Sequence, residues 1–239
     1  MYCVIEKNKD FLLVNKPQGV GIHCEENQLG FIAELKKHYQ LDELYPVHRL
    51  DKVTSGLLLC ACHTQAASEL SQLFQHRRVE KYYFAISDKK PKKKQGAIIG
   101  DMDKSRRGSW KLLPTRNNPA ITQFFSYGMG NQRRLFILKP STGKTHQLRV
   151  ALKSIGAPIC GDQRYGGTEL YDQAHGNGQI NNGGILLHAG ALIFEYQQQQ
   201  YRYVLLPEHW PALFQDWLVV DEKHSHMLEE PWGLPWPHR

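Results

Sequence analysis

Short β-prone runs and short helical patterns follow one another in this chain without a repeating strand–helix alternation, and that irregular order most limits its fold. A strand is predicted over Phe11–Val14, stopped by Lys16-Pro17. A helix is predicted over Phe31–Tyr39, where Phe31, Ile32 and Leu35 share one flank. Gly56–Cys62 reads as a strand, Ser68–Gln75 as a helix with Leu70, Leu73 and Phe74 on its apolar face, and Tyr82–Ile86 as an aromatic strand. Ile121–Tyr127 and Arg134–Leu138 read as neighbouring strands around a turn at Gly128–Asn131. A helix follows over His146–Lys153. A last β region covers Ile185–Glu195 and Tyr201–Leu205, on either side of a polar QQQQ tract. A regular βαβ order would demand a parallel sheet; this order predicts an α+β fold with a mixed, largely antiparallel central sheet. Residues 166–184, rich in Gly, Asn and Gln, read as a long loop. Residues 224–239, with Pro231, Pro235 and Pro237, read as a less ordered end whose two tryptophans dock on this chain or another.

Hydrophobic residues make up 41% of the 239 and charged residues 22%, enough to build a core and to exclude a wholly disordered chain. No stretch approaches the roughly 20 apolar residues that cross a bilayer. The start, MYCVIEKNKDFLLV, lacks the basic opening and cleavage site of a secretory signal. The five cysteines show no zinc-ribbon pairing, and Cys60 and Cys62 form only a CxC. Reduced, structural thiols in a cytoplasmic protein are expected. The twelve histidines have no zinc spacing, so no metal is expected either.

The formal charge is +7, but it is unevenly placed. Residues 76–116 hold thirteen Lys and Arg against four Asp and Glu, a local +9, so the remainder is net acidic. The excess centres on KKPKKK at Lys89–Lys94 and KSRRGSWK at Lys104–Lys111. Such a segment suits a phosphate backbone; the competing reading is a solvated, mobile loop punctuated by Pro91, Gly96 and Gly108.

Two segments concentrate chemistry. In VHRLDKVTSGLLL, Val47–Leu59, polar and charged residues sit just before a glycine and an apolar run, as in a loop entering a buried strand. The carboxylate of Asp51 there suits a nucleophile, a base, a metal ligand or a helix cap. In STGKTHQLRV, Ser141–Val150, the GKT is no phosphate loop. The glycine that such a loop requires five residues before Gly143 is Leu138, inside a strand-like RRLFIL.

These segments together resemble the RluA-type family of RNA pseudouridine synthases. HRLDKVTSGLLL is similar to the signature that holds the family's catalytic aspartate, here Asp51. DFLLVNKPQGVGIH at Asp10–His23 resembles the first motif. VEKYYFAI at Val79–Ile86 resembles the segment with the active-site tyrosine, which falls on Tyr83. GKTHQLRV resembles the late motif whose basic residue, here Arg149, pairs with the aspartate. GAPICGDQRYG and LLHAGALIF, from Gly156 and Leu186, complete the order. The resemblance spans about Asp10 to Leu206.

The resemblance implies a pseudouridine synthase-like catalytic fold over residues 1–220, with 221–239 as a Pro/Trp-containing tail. The first motif begins at Asp10, so no amino-terminal S4-like module is expected. The implied reaction is site-specific isomerisation of uridine to pseudouridine in ribosomal or transfer RNA, without a cofactor. Asp51 acts as nucleophile or ribose-proton acceptor, Arg149 holds it ionised, and Tyr83 packs on the uracil with its hydroxyl near the ribose. The target nucleotide must leave the stack. By the same resemblance Arg49 enters the space it vacates and His48 arranges the loop, or both brace Asp51. Lys92, Lys93, Lys94, Arg106, Arg107 and Lys144 are expected on the RNA backbone. His146 and Gln147 either bind RNA or hold the structure. A monomer acting on structured RNA, away from membranes, is expected. The alternatives are a catalytically inactive structured-RNA-binding protein and a glycoside-type hydrolase, which commonly needs a second carboxylate.

Overall fold

The computed structural model describes residues 3–24, 29–168, 171–172, 178–179, 184–208 and 210–237. In chain order its elements are β1 (Cys3–Lys7), β2 (Phe11–Lys16), α1 (Phe31–Tyr39), β3 (Tyr45–Pro46), β4 (Ser55–Ala61), α2 (Thr64–Gln75) and β5 (Glu80–Ser87). There follow β6 (Gln95–Lys104), β7 (Trp110–Leu113), β8 (Ala120–Gly130), β9 (Arg133–Pro140), α3 (Gln147–Ser154), β10 (Tyr171–Asp172) and β11 (Gly178–Gln179). The chain closes with β12 (Leu187–Tyr196), β13 (Gln199–Val204), α4 (Ala212–Val220) and α5 (Glu222–Glu229). Among these residues no helix is long and apolar enough to cross a membrane. The chain divides into two compact units, Met1–Glu80 with Ala189–Leu205, and Lys81–His188 with Leu206–Arg239.

In the first unit β2 pairs antiparallel with both β1 and β4, and β3 adds to β4. β2 is covered on both faces: Phe11, Leu12, Leu13 and Val14 are all fully buried. Alternation sorts its side chains. Phe11 and Leu13 join Leu57, Leu59 and Ala61 of β4, Ala66 and Leu70 of α2, and Leu192 and Phe194 of β12 in one core. Gly56 lies at φ +111°, and a Cβ there would fall 2.4 Å from the Ala189 carbonyl oxygen. Only glycine lets β4 start at this close approach. Helix α1 has the predicted limits and the predicted buried residues. Helix α2 begins four residues earlier than its apolar spacing shows. His63 caps it, with Nδ1 accepting the Ala66 N–H at 3.2 Å.

In the second unit β5, β9, β8, β6 and β7 form an antiparallel succession. The reading of the basic segment as a loop is corrected here: β6 and β7 form a paired hairpin within it, and its lysines and arginines lie mostly at strand ends and turns. The β8–β9 turn is also tighter than expected. Asn131 and Gln132 both have positive φ, 46° and 58°, as in a two-residue hairpin, while Gly128 and Met129 stay in β8. The QQQQ tract of the first unit repeats the device with Gln197 and Gln198, at φ 51° and 64°.

The chain's end is more ordered than its prolines suggest. Residues 222–229 are helical, and Trp236 packs on Tyr82 and edge-on against Phe125, with ring centroids 5.7 and 5.1 Å away. The Pro237 carbonyl accepts a hydrogen bond from the Gln123 amide. The Trp217 indole N–H donates to the Gly128 carbonyl at 2.9 Å. The long loop expected over 166–184 lies largely outside the described residues, although β10 and β11 within it pair. Cys3, Cys24, Cys60, Cys62 and Cys160 are free thiols, and burial pushes the Cys160 thiol up to about 11.

Candidate active site

In the first unit, Asp51 sits half-buried on a turn between β3 and β4. That turn is pinned from several sides. The Asp51 carbonyl accepts the Thr54 N–H at 2.9 Å, and the Lys52 carbonyl accepts the Gly19 N–H at 2.8 Å. His48 stacks on Phe74, centroids 4.5 Å apart and planes within 13°, and its Nε2 accepts the Leu59 N–H at 3.0 Å. The Val47 N–H in turn donates to the Leu59 carbonyl. An imidazole thus takes the place of a backbone partner beside β4 and fastens His48 to Leu59 and Phe74. Arg49 is exposed on the same turn.

In the sequence Lys16, with Pro17, reads only as the stop of a strand. It ends β2 with no solvent exposure, and its ammonium donates to the carbonyls of Pro17 at 2.8 Å, Val20 at 2.9 Å and Lys52 at 3.3 Å. Burial pulls its pKa down to about 8, and the negative charge of Asp51 opposes that fall. A cation solvated only by carbonyls therefore faces the turn that carries Asp51. The sequence signal was a lysine directly after FLLVN, where β alternation points it inward.

In the second unit, Tyr83 is half-buried on β5, opposite Leu138 of β9. Tyr82, its neighbour, is fully buried under Trp236, and the Lys139 ammonium lies 5.1 Å from its ring centre. The two tyrosines thus occupy opposite faces, as a strand requires. Arg149 lies in the first turns of α3 and is 95% buried. Its Nε and Nη2 each donate at 2.8 Å to the two carboxylate oxygens of Asp162. The sequence motif GAPICGDQRYG that contains Asp162 does not by itself assign it a role. A buried arginine one turn into an apolar helix demands a carboxylate, and only the fold reveals that this one, thirteen residues on, supplies it.

The remaining expected RNA contacts divide. Lys92, Lys93 and Lys94 are exposed ahead of β6, and Arg106 and Arg107 are exposed at the tip of the β6–β7 hairpin. Lys144 is half-buried before α3. Gln147 is buried, and its amide is committed to the protein: it accepts from Thr142 Oγ1 and the Lys144 N–H, and donates to the Ile121 carbonyl and Thr122 Oγ1. That is the structural alternative of its sequence reading. His146 sits at the N-cap of α3 in left-handed backbone, φ 57°, with Nδ1 2.8 Å from the Tyr165 hydroxyl. Among the described residues no group of His, Cys, Asp and Glu could hold a metal ion.

The fold and these segments define an RNA-modifying isomerase of the pseudouridine synthase class. Residues 10–154 match the RNA pseudouridylate synthase family, and the chain belongs to it, in its RluA-type branch. An uncharacterized RNA pseudouridine synthase of Haemophilus influenzae is 44% identical over 218 residues, covering 89% of this chain and 92% of that protein. The ribosomal large subunit pseudouridine synthase D of Borreliella burgdorferi is 35% identical over 177 residues, covering 69% of this chain and 54% of that one. The chain thus spans most of the first relative and about half of the second. Human RNA pseudouridylate synthase domain containing 1 shares the fold, with a TM-score of 0.73 at 23% identity, covering 100% of this chain and 97% of that chain.

Proposed function

We propose that this chain converts a specific uridine of ribosomal RNA to pseudouridine, and that Asp51, Tyr83 and Arg149 do the chemistry. The observation that carries the reading is that all three lie inside the family match over residues 10–154. The reaction breaks the bond from uracil N1 to ribose C1′, turns the base, and joins C5 to C1′, with the C5 proton passing to N1. Asp51 supplies the carboxylate as nucleophile or ribose-proton acceptor, on a turn held rigid enough to aim it. Tyr83 offers a ring to the uracil and a hydroxyl to the sugar. Arg149 brings positive charge in a buried setting, where charge acts strongly. Exposed Lys92, Lys93, Lys94, Arg106 and Arg107 hold the phosphates, with Arg49 beside the flipped nucleotide.

Relatives named for the large ribosomal subunit support ribosomal over transfer RNA. A monomer working in the cytoplasm without a cofactor fits the same reading. The test is pseudouridine mapping of total RNA from cells with and without the gene, with Asp51→Asn as control. A ribosomal uridine modified only by the unaltered chain is expected. A site confined to transfer RNA would overturn the substrate, and full modification by Asp51→Asn would overturn the role of Asp51.

A further inference from the structure

We propose that Tyr165 is a positioning residue that ties the basic β6–β7 hairpin to the helix of Arg149, so that RNA held by the one sets the other. The proposal rests on the functional reading above. It concerns one buried side chain at the junction of three segments of the second unit.

Tyr165 is 2% exposed. It stands on a tight turn, where its N–H donates to the Asp162 carbonyl at 3.1 Å and lies 3.3 Å from Asp162 Oδ1. The same Asp162 side chain holds Arg149. The tyrosine ring faces α3: the guanidinium carbon of Arg149 is 4.9 Å from its centre and the Lys153 ammonium 5.6 Å, two cations one helical turn apart against one ring. The hydroxyl reaches elsewhere. It accepts the Trp110 N–H at 3.0 Å, at the start of β7, and meets His146 Nδ1 at 2.8 Å. A second tie lies alongside, where Arg164 donates to the Arg107 carbonyl at 2.7 Å.

Hydrogen-bond accounting decides the direction of the contact with His146. A tyrosine hydroxyl has one proton to give. With Trp110 donating to the oxygen, that proton goes to His146 Nδ1, and the neutral imidazole carries its own hydrogen on Nε2. The opposite tautomer would put a second donor on the oxygen and strand the buried hydroxyl proton. Burial raises the pKa of Tyr165, so the hydroxyl keeps its proton near neutral pH. The bond also anchors His146 in a left-handed conformation that a histidine adopts at a cost of about 1 kcal/mol. Through one oxygen, the strand that follows Arg106 and Arg107 is fastened to the residue that starts the Arg149 helix.

Tyr165→Phe keeps the ring under Arg149 and Lys153 and removes only the tie. In the full chain, on its mapped RNA, kcat should fall about tenfold while Kd changes less than about threefold. Arg106→Gln/Arg107→Gln should lower both affinity and kcat in the unaltered chain, but affinity alone in the Tyr165→Phe background. Additive effects, or an unchanged kcat in Tyr165→Phe, would overturn the proposal. Nitrogen-15 NMR of His146 in the unaltered protein needs neither a variant nor RNA: the hydrogen should be on Nε2, and finding it on Nδ1 at neutral pH would equally overturn the tie. Because the tautomer is read without substrate, a failure of the pseudouridine reading and a failure of this one give different results.

Discussion

Replacing Asp162 with asparagine separates what the Arg149 pair does for the fold from what Arg149 does for the reaction. The two side chains are 6% and 1% exposed and share two bonds of 2.8 Å. Asparagine keeps the shape but turns one acceptor into a donor that faces a donor, and removes the Asp162 charge from beside the guanidinium. Breaking a buried pair by removing one partner costs about 3–5 kcal/mol. For a chain of this length that corresponds to a fall in Tm of about 6–20 °C. The assay is unusually clean. All five tryptophans, Trp110, Trp210, Trp217, Trp232 and Trp236, belong to the second unit, so tryptophan fluorescence follows that unit's unfolding. The companion is Arg149→Met/Asp162→Leu, which swaps the pair for apolar groups of similar size. It should recover most of the stability and none of the activity, because desolvating two ions offsets much of their attraction. A loss below about 1 kcal/mol in Asp162→Asn, or an active Met/Leu variant, would refute the reasoning.

Two further outcomes follow from the charges. Lys16 titrates near 8 in the folded chain and near 10.5 when unfolded, so below pH 8 the fold bears the cost of a buried ammonium, and above about 10.5 it does not. Its contribution should therefore make stability rise by about 3 kcal/mol between those limits, and Lys16→Met should lose that rise in urea melts taken across pH 7.5–10.5. Neutralising Lys92, Lys93 and Lys94 to glutamine should weaken RNA binding and lower the slope of log affinity against log salt by about 2; an unchanged slope would remove the triad from the RNA contact.

What could be read from the sequence was whatever local spacing encodes. Phe31, Ile32 and Leu35 recur at helical intervals, and α1 has the limits they set. Tyr82 and Tyr83 alternate as a strand dictates. β6 escaped because lysines flank it and its glycines interrupt the alternation, yet Gly100 is where Leu113 of the neighbouring strand β7 comes close, with a would-be Cβ 2.2 Å from that carbonyl. Glycine there serves pairing, not a loop. Helix α2 was read four residues short because His63 is not among the usual capping residues. For the site, recognisable motifs gave Asp51, Tyr83 and Arg149 as candidates. Asp162 and Tyr165 gained roles only when the fold brought distant segments together, since nothing in GDQRYG shows which partners it will meet.

The division of the chain has a consequence for its synthesis. The first unit begins at the amino terminus but takes its β12 and β13 strands from residues 189–205, and the second takes its closing helices and Trp236 from beyond residue 206. The first unit is not complete until residue 205 has been made, and the second not until the residues after 206 have been. During that interval β4 lacks its later neighbour β12, a state in which unpaired sheet invites aggregation. A premature stop near residue 185 should therefore not yield an active first half. It should yield a first unit without β12 and β13 and a second without its closing helices, and quality control rather than catalysis should determine the fate of the product.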